Sequence, residues 1–126
     1  QLIGRWTTVS KNPKIIFDAA HNLAGFKCIS SQLDKTKYNQ LHVILAFIKG
    51  KNITELISTL PLNSNIYYTS INMKRGMTQT EIIQNVGRSI IFDENPKRLL
   101  DTVKGYCSDQ DIILITGSNF IAKSIL

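Results

Sequence analysis

Residues 14–22 read KIIFDAAHN. An unbroken apolar run, Ile15, Ile16 and Phe17, ends on an acid, Asp18, and a histidine and an asparagine follow at positions 21 and 22. A strand with one face in water alternates apolar and polar residues. A continuous run is instead expected where both faces are covered, as in a parallel sheet between layers of helices. Four further runs have the same character: HVILAF (42–47), NIYYTS (65–70), SIIFD (89–93) and DIILIT (111–116).

Helical spacing fills the intervals. Phe26, Ile29 and Leu33 recur on one face after His21. Ile53, Leu56, Ile57 and Leu60 follow i, i+3, i+4, i+7. Thr78 and Glu81 have capping-box spacing ahead of Ile82, Ile83 and Val86. Asn95 before Pro96 is a capping residue followed by proline at the first helical position, and Leu99, Leu100, Val103 and Cys107 form the stripe behind it. A short helix is expected after Ser118. Strand and helix thus alternate from residue 14 to the end, which predicts an α/β fold with an open, doubly wound, mostly parallel sheet of the Rossmann-like type. Ahead of it, GRWTTVS (4–10) reads as an extra strand. The turn residues KNP (11–13) predict that it returns antiparallel to 14–18, as an N-terminal edge strand.

The 126 residues suit a single α/β domain spanning 1–126, and 43% apolar content supports a packed core. No apolar run approaches the length of a membrane span, and no signal peptide is apparent, so no membrane partner is expected and the cytoplasm is the expected location. The chain opens on QLIGRW without an initiator Met, which points to a piece of something larger. Cys28 and Cys107 form no CxxC pair and sit in no local metal-ligand spacing, so no metal site is expected and both read as buried free thiols. Net charge is +6. Residues 1–63 hold eight basic and three acidic groups, and residues 64–126 hold seven and six. The excess is dispersed and lacks interleaved aromatics, which argues against nucleic acid and leaves a small anion as the ligand class that the charge favours.

In an open α/β sheet ligands bind beyond the carboxyl ends of the strands, near the point where strand order reverses. That rule selects Asp18, IKGK (48–51), residues 70–75, Asp93 and GSN (117–119). A carboxylate at Asp18 suits a ribose hydroxyl pair, or is a plain strand-end acid. His21 and Asn22 stand at a helix mouth that favours phosphate, or simply cap that helix. TGSN (116–119) is either a phosphate or carboxylate contact or a helix cap. Neither GxxxxGK[ST] nor GxGxxG is present, and there is no nucleophile elbow.

GRW followed by KIIFDAAHN resembles the start of the C-terminal domain of folylpolyglutamate synthase / dihydrofolate synthase, ATP-dependent ligases of the Mur ligase superfamily. ILAFIKGKNITELISTLP (44–61), INMKRGM (71–77) and ILITGSNFIA (113–122) resemble later parts of that domain in the same order. Ala19, Leu23, Lys74, Asn119 and Phe120 depart from the family's usual residues. The resemblance implies a Mur ligase C-terminal domain fold, with residues 1–10 near an interdomain linker. Arg5, Asp18, His21 and Asn22 would meet ATP, and His21 would also be catalytic, near the terminal phosphate or the incoming glutamate. Ser118 and Arg75 would contact substrate. It further implies Mg²⁺ held mainly by an N-terminal ATPase domain, L-glutamate and a folate or dihydropteroate as further partners, and a monomer.

Overall fold

The structure, a computed structural model, describes residues 4–46, 52–70, 90–119 and 121–126. The segment 48–51, Arg75 and the capping-box helix expected at 78–86 lie outside the described residues. In chain order the elements are β1 (Thr7–Lys11), β2 (Lys14–Asp18), α1 (Leu23–Asp34), β3 (Leu41–Leu45), α2 (Ile53–Ile57), β4 (Asn65–Thr69), β5 (Ile91–Asp93), α3 (Pro96–Tyr106), β6 (Ile112–Thr116) and α4 (Ile121–Ile125).

The described strands form one mixed sheet in the order β1-β2-β6-β3-β4-β5. β1 pairs antiparallel with β2 through the turn at 12–13, and every other pairing is parallel. The expected fold is therefore the observed one, edge strand included. The register shifts between Thr8 and Ser10, a bulge of the kind that blunts an exposed edge against further pairing.

Both faces of the parallel strands are buried, as the continuous runs require. Successive side chains alternate between two cores. Ile16, Val43, Leu45, Ile66, Tyr68, Ile112 and Leu114 face α1 and α2, meeting Phe26, Ile29, Leu33, Ile53, Leu56 and Ile57. Ile15, Phe17, Ile44, Tyr67, Ile113 and Ile115 face α3 and α4, meeting Leu99, Leu100, Val103, Ile121 and Ile125. The exception is β5, only three residues long with Ile91 48% exposed. The run at 89–93 reads as fully covered, but among the described strands β5 lies at the far edge of the sheet, with β4 as its one paired neighbour.

Local capping fixes where the helices begin. Asn22 caps α1, its side-chain oxygen accepting from the Gly25 N–H at 2.9 Å. Asn52 caps α2 through Glu55, and Asn95 caps α3 through Arg98, with Pro96 in the first turn. Asp93 serves the same junction. It accepts two bonds from the Arg98 guanidinium, at 2.7 and 2.8 Å, and one from the Asn95 N–H at 2.9 Å. These bonds hold its carboxyl below the usual range.

Strand order locates the functional edge. α1 and α2 lie on one face, α3 and α4 on the other. β6, followed by α4, is inserted between β2 and β3, which are followed by α1 and α2. The loops leaving β2 and β6 therefore diverge to opposite faces and leave a crevice between them.

Candidate functional site

A cleft of about 410 Å³ occupies that crevice, lined by Gly4, Arg5, Asp18, Ala19, Ala20, His21, Asn22, Ala24, Gly25, Cys28 and Asn119. Its floor is stitched from backbone. Asp18 on β2, Thr116 on β6 and Leu45 on β3 are in register, so three strand ends meet. The Ala20 carbonyl accepts the Gly117 N–H at 3.0 Å, and the Ala46 N–H donates to the Thr116 carbonyl at 3.3 Å. Gly117 has φ +111°, and a Cβ there would lie 2.6 Å from the Ala46 carbonyl oxygen. Only glycine allows the two strand ends to approach this closely.

Asp18 sits at the end of β2 with both oxygens engaged. Oδ1 accepts the Ala20 N–H at 2.9 Å, and Oδ2 accepts the Trp6 N–H at 3.0 Å. Each oxygen retains a second lone pair for a ligand. His21 is exposed, and its Nδ1 is 3.2 Å from the Ala19 carbonyl. With Nδ1–H donating there, Nε2 is the ring atom left to face a ligand. The Asn22 oxygen is committed to capping, so its amide N–H₂ remains as a donor. α1 carries no acid in its first turn, so the partial positive charge of its N-terminus is not offset by a carboxylate on the helix.

Gly25 packs its bare Cα against Ala20: an added Cβ would lie 2.8 Å from the Ala20 Cβ. Gly25→Ala gains about 1 kcal/mol of helix propensity, but overpacking of this kind costs about 1–3 kcal/mol. The variant is expected to be destabilised on balance and to bind cleft ligands more weakly, measurable by chemical denaturation and ligand titration. Equal or higher stability would show that the helix mouth yields freely.

Beside the cleft, along α1, lies a second hollow of about 460 Å³ with Arg5, Lys27 and Lys35 on its rim. The cations look dispersed along the chain. Folding collects three of them here, and the carboxylate among the lining residues is Asp18, already bonded to two N–H groups. Helical spacing places Lys27, Ser31 and Lys35 on one face of α1 and its C-cap, which the sequence permits but does not announce.

The structure brings together Arg5, Asp18, His21 and Asn22. Ser118 is 3% exposed and is not among the residues that line the cleft, whereas its neighbour Asn119 is. Gly4, Gly25 and Cys28 are cleft residues that sequence reading did not select for the site. Asn119 stood in the quoted TGSN, where the glycine and serine drew attention. Cys28, expected to be buried, is exposed, because the buried stripe Phe26, Ile29, Leu33 turns it outward; Cys107 is only partly buried.

A divalent cation does not fit the described cleft residues. They include one carboxylate, whose oxygens both accept N–H bonds, whereas Mg²⁺ seeks several oxygen ligands in octahedral array. Elsewhere, among the described residues, His42, Cys107 and Asp111 bring three potential metal donors within 4.8 Å of one another. Local spacing could not show this, since residue 42 is far from the others in sequence. Their bonding capacity is already used. His42 lies 3.0 Å from the Tyr67 hydroxyl and 3.1 Å from Asp111 Oδ2. Asp111 also accepts from the Ser108 N–H and hydroxyl and from the Gln40 N–H. Burial pushes the Cys107 thiol up to about 11, with Asp111 adding to the shift, so it stays protonated at neutral pH and is a poor metal ligand. The cluster is a structural network at the opposite end of the strands.

Comparison with known proteins identifies the family. A family model described as Mur ligase, glutamate ligase domain, matches residues 4–119. The chain belongs to this family. Among curated relatives, it is 26% identical over 130 residues to a dihydrofolate synthase/folylpolyglutamate synthase of Buchnera aphidicola from Schizaphis graminum, covering 100% of the chain and 31% of the relative. It is 30% identical over 120 residues to the protein of that name from the Baizongia pistaciae strain, covering 93% and 28%. Two solved structures share the fold. A Yersinia pestis bifunctional folylpolyglutamate synthase/dihydrofolate synthase complexed with AMPPNP and Mn ion has TM-score 0.86 at 19% identity, covering 98% of this chain and 30% of that one. A Mycobacterium tuberculosis folylpolyglutamate synthase complexed with ADP and AMPPCP has TM-score 0.88 at 20% identity, covering 98% and 31%. This Mur ligase domain thus spans about 30% of the length of these relatives. Among its described residues no helix is long and apolar enough to cross a membrane.

Proposed function

We propose that this chain is the C-terminal domain of an ATP-dependent amide ligase that adds L-glutamate to dihydropteroate or a folate, and that it supplies nucleotide and glutamate contacts to a site completed by an N-terminal ATPase domain. The observation that carries the reading is the cleft itself: a cation, a strand-end carboxylate, an imidazole and an acid-free helix N-terminus share one crevice at the strand ends. Membership of the glutamate ligase domain family and the names of the relatives support it. So do related structures described with AMPPNP, Mn and L-glutamate, or with DHPP and ADP.

In this reading the substrate carboxylate attacks the γ-phosphorus of ATP, giving an acyl phosphate and ADP. The glutamate amine then attacks the acyl carbon, loses a proton and expels phosphate. Both steps gather negative charge, so positioning and electrostatic stabilisation dominate. Arg5 binds phosphate oxygens through its guanidinium. Asp18 accepts a ribose hydroxyl with its open lone pairs, and Asn22 donates at the helix mouth. His21 Nε2 either bonds the terminal phosphate or takes the proton of the amine. Ser118 and Arg75 orient glutamate. Mg²⁺ would be held mainly by the N-terminal domain, a reading supported by the single carboxylate among the described cleft residues. The enzyme is read as a monomer working in the cytoplasm, in keeping with two free thiols; the domain alone binds ATP weakly and turns over nothing.

The test is ADP release by the full-length protein with dihydropteroate or a folate, ATP and glutamate. Arg5→Ala and His21→Ala are each expected to lower kcat/KM at least about tenfold, the equivalent of one lost charge-assisted hydrogen bond. Unchanged kinetics in both would reject the assignment. Turnover with a different acyl acceptor, and none with pterin substrates, would reassign it to another Mur-type ligase.

A further inference from the structure

We infer that Asp18 is a positioning residue for Arg5: its carboxylate latches the lead-in turn at residues 4–6 and so aims the guanidinium into the cleft. The inference rests on the nucleotide reading of the cleft and adds to it a second role for the carboxylate, separate from any contact with a ribose.

Arg5 is exposed and lies on a turn with little intrinsic preference for its shape. Gly4 has φ +110° and Trp6 has φ +41°. A tryptophan in the left-handed region is disfavoured and persists only where its surroundings over-determine it. Two bonds do so, one on each side of Arg5. The Ala19 N–H donates to the Gly4 carbonyl, and the Trp6 N–H donates to Asp18 Oδ2. The other carboxylate oxygen accepts the Ala20 N–H, which fixes the ring of atoms around β2's end. Asp18 therefore joins the lead-in turn to the loop that carries His21. Asparagine cannot replace it: one of the two N–H donors would face an N–H₂ group instead of an oxygen.

The consequence is that Asp18 affects phosphate binding even where no ribose is present. The probe is inorganic tripolyphosphate, titrated beside ATP into the full-length protein, wild type and the variants Arg5→Ala, Asp18→Asn and both together. Asp18→Asn is expected to weaken tripolyphosphate and ATP alike, each by about tenfold, and the double variant is expected to be no weaker than the weaker single variant, because both remove one unit. A second variant leaves Asp18 intact and inserts one glycine between Arg5 and Trp6. It loosens the latch and is expected to produce the same loss, which keeps the test open if Asp18→Asn folds poorly. If Asp18→Asn weakens ATP but leaves tripolyphosphate unchanged, or its effect simply adds to that of Arg5→Ala, the latch is overturned while the nucleotide reading stands. If Arg5→Ala changes neither affinity, the nucleotide reading itself fails.

Discussion

Asp111→Ala is expected to destabilise the fold by about 3–5 kcal/mol, the range for removing one partner from a buried charged network. Asp111 and His42 are 5% and 2% exposed. The carboxylate accepts from His42, from the N–H and hydroxyl of Ser108, and from the Gln40 N–H, tying the start of β6 to that of β3. Alanine leaves the buried His42 ring and the partly buried donors of Ser108 and Gln40 without their acceptor, and a domain of this size has only about 5–15 kcal/mol in total. The pH dependence has a definite sign. Burial alone would raise the Asp111 carboxyl, but the bonds from Ser108, His42 and Gln40 outweigh it and hold the carboxyl below its usual value. A depressed folded value stabilises the fold above about pH 4, and that contribution is lost as pH falls through the folded value. Urea titrations from pH 7 to pH 3 should show this acid loss in the wild type and a flatter profile in Asp111→Ala. A variant within 1 kcal/mol of wild type at pH 7 would show that the network holds nothing together.

The second large effect belongs to the cleft. Gly117→Ala is expected to cost about 2–4 kcal/mol, combining about 1–3 kcal/mol for a side chain at φ +111° with a clash. The added Cβ would meet the Ala46 carbonyl oxygen at 2.6 Å and its nitrogen at 3.1 Å, both backbone atoms that cannot swing aside. Relief requires parting β6 from the end of β3, which also breaks the Gly117–Ala20 bond beneath the cleft. Ligand affinity should therefore fall together with stability. Gly105→Ala is the control. That glycine lies inside α3 with nothing within 4 Å of its added Cβ, so alanine there should stabilise by about 0.5–1 kcal/mol. Were Gly117→Ala to stabilise equally, the close approach of the strand ends would be disproved.

Much of the fold was legible because the signals are local. Unbroken runs such as Ile15–Phe17 and 112–115 need cover on both faces, and residues of one strand alternate between the two cores for the same reason. Asn95–Pro96 began a helix as read. Where reading went astray, the deciding fact was in one case a strand's place in the sheet and in the other a helix's phase. The run at 89–93 looks like its siblings, yet among the described strands β5 stands at the sheet's edge. Cys28 has the composition of a buried position, but the phase set by Phe26 and Ile29 points it outward, into the cleft wall.

The sequence by itself determined the layers, the parallel pairing and the strand ends at which ligands are met, since hydrophobic period and turn chemistry act over a few residues. It also named Asp18, His21 and Asn22 as neighbours, because one loop carries them. Only the tertiary structure decided that Arg5, Asn119 and the cations of α1 join that loop, that Asp18 spends one oxygen on the Trp6 N–H, and that His42 meets Asp111. Those pairings depend on β6 being laid between β2 and β3, a choice made by the packing of the whole sheet and by no short stretch of residues.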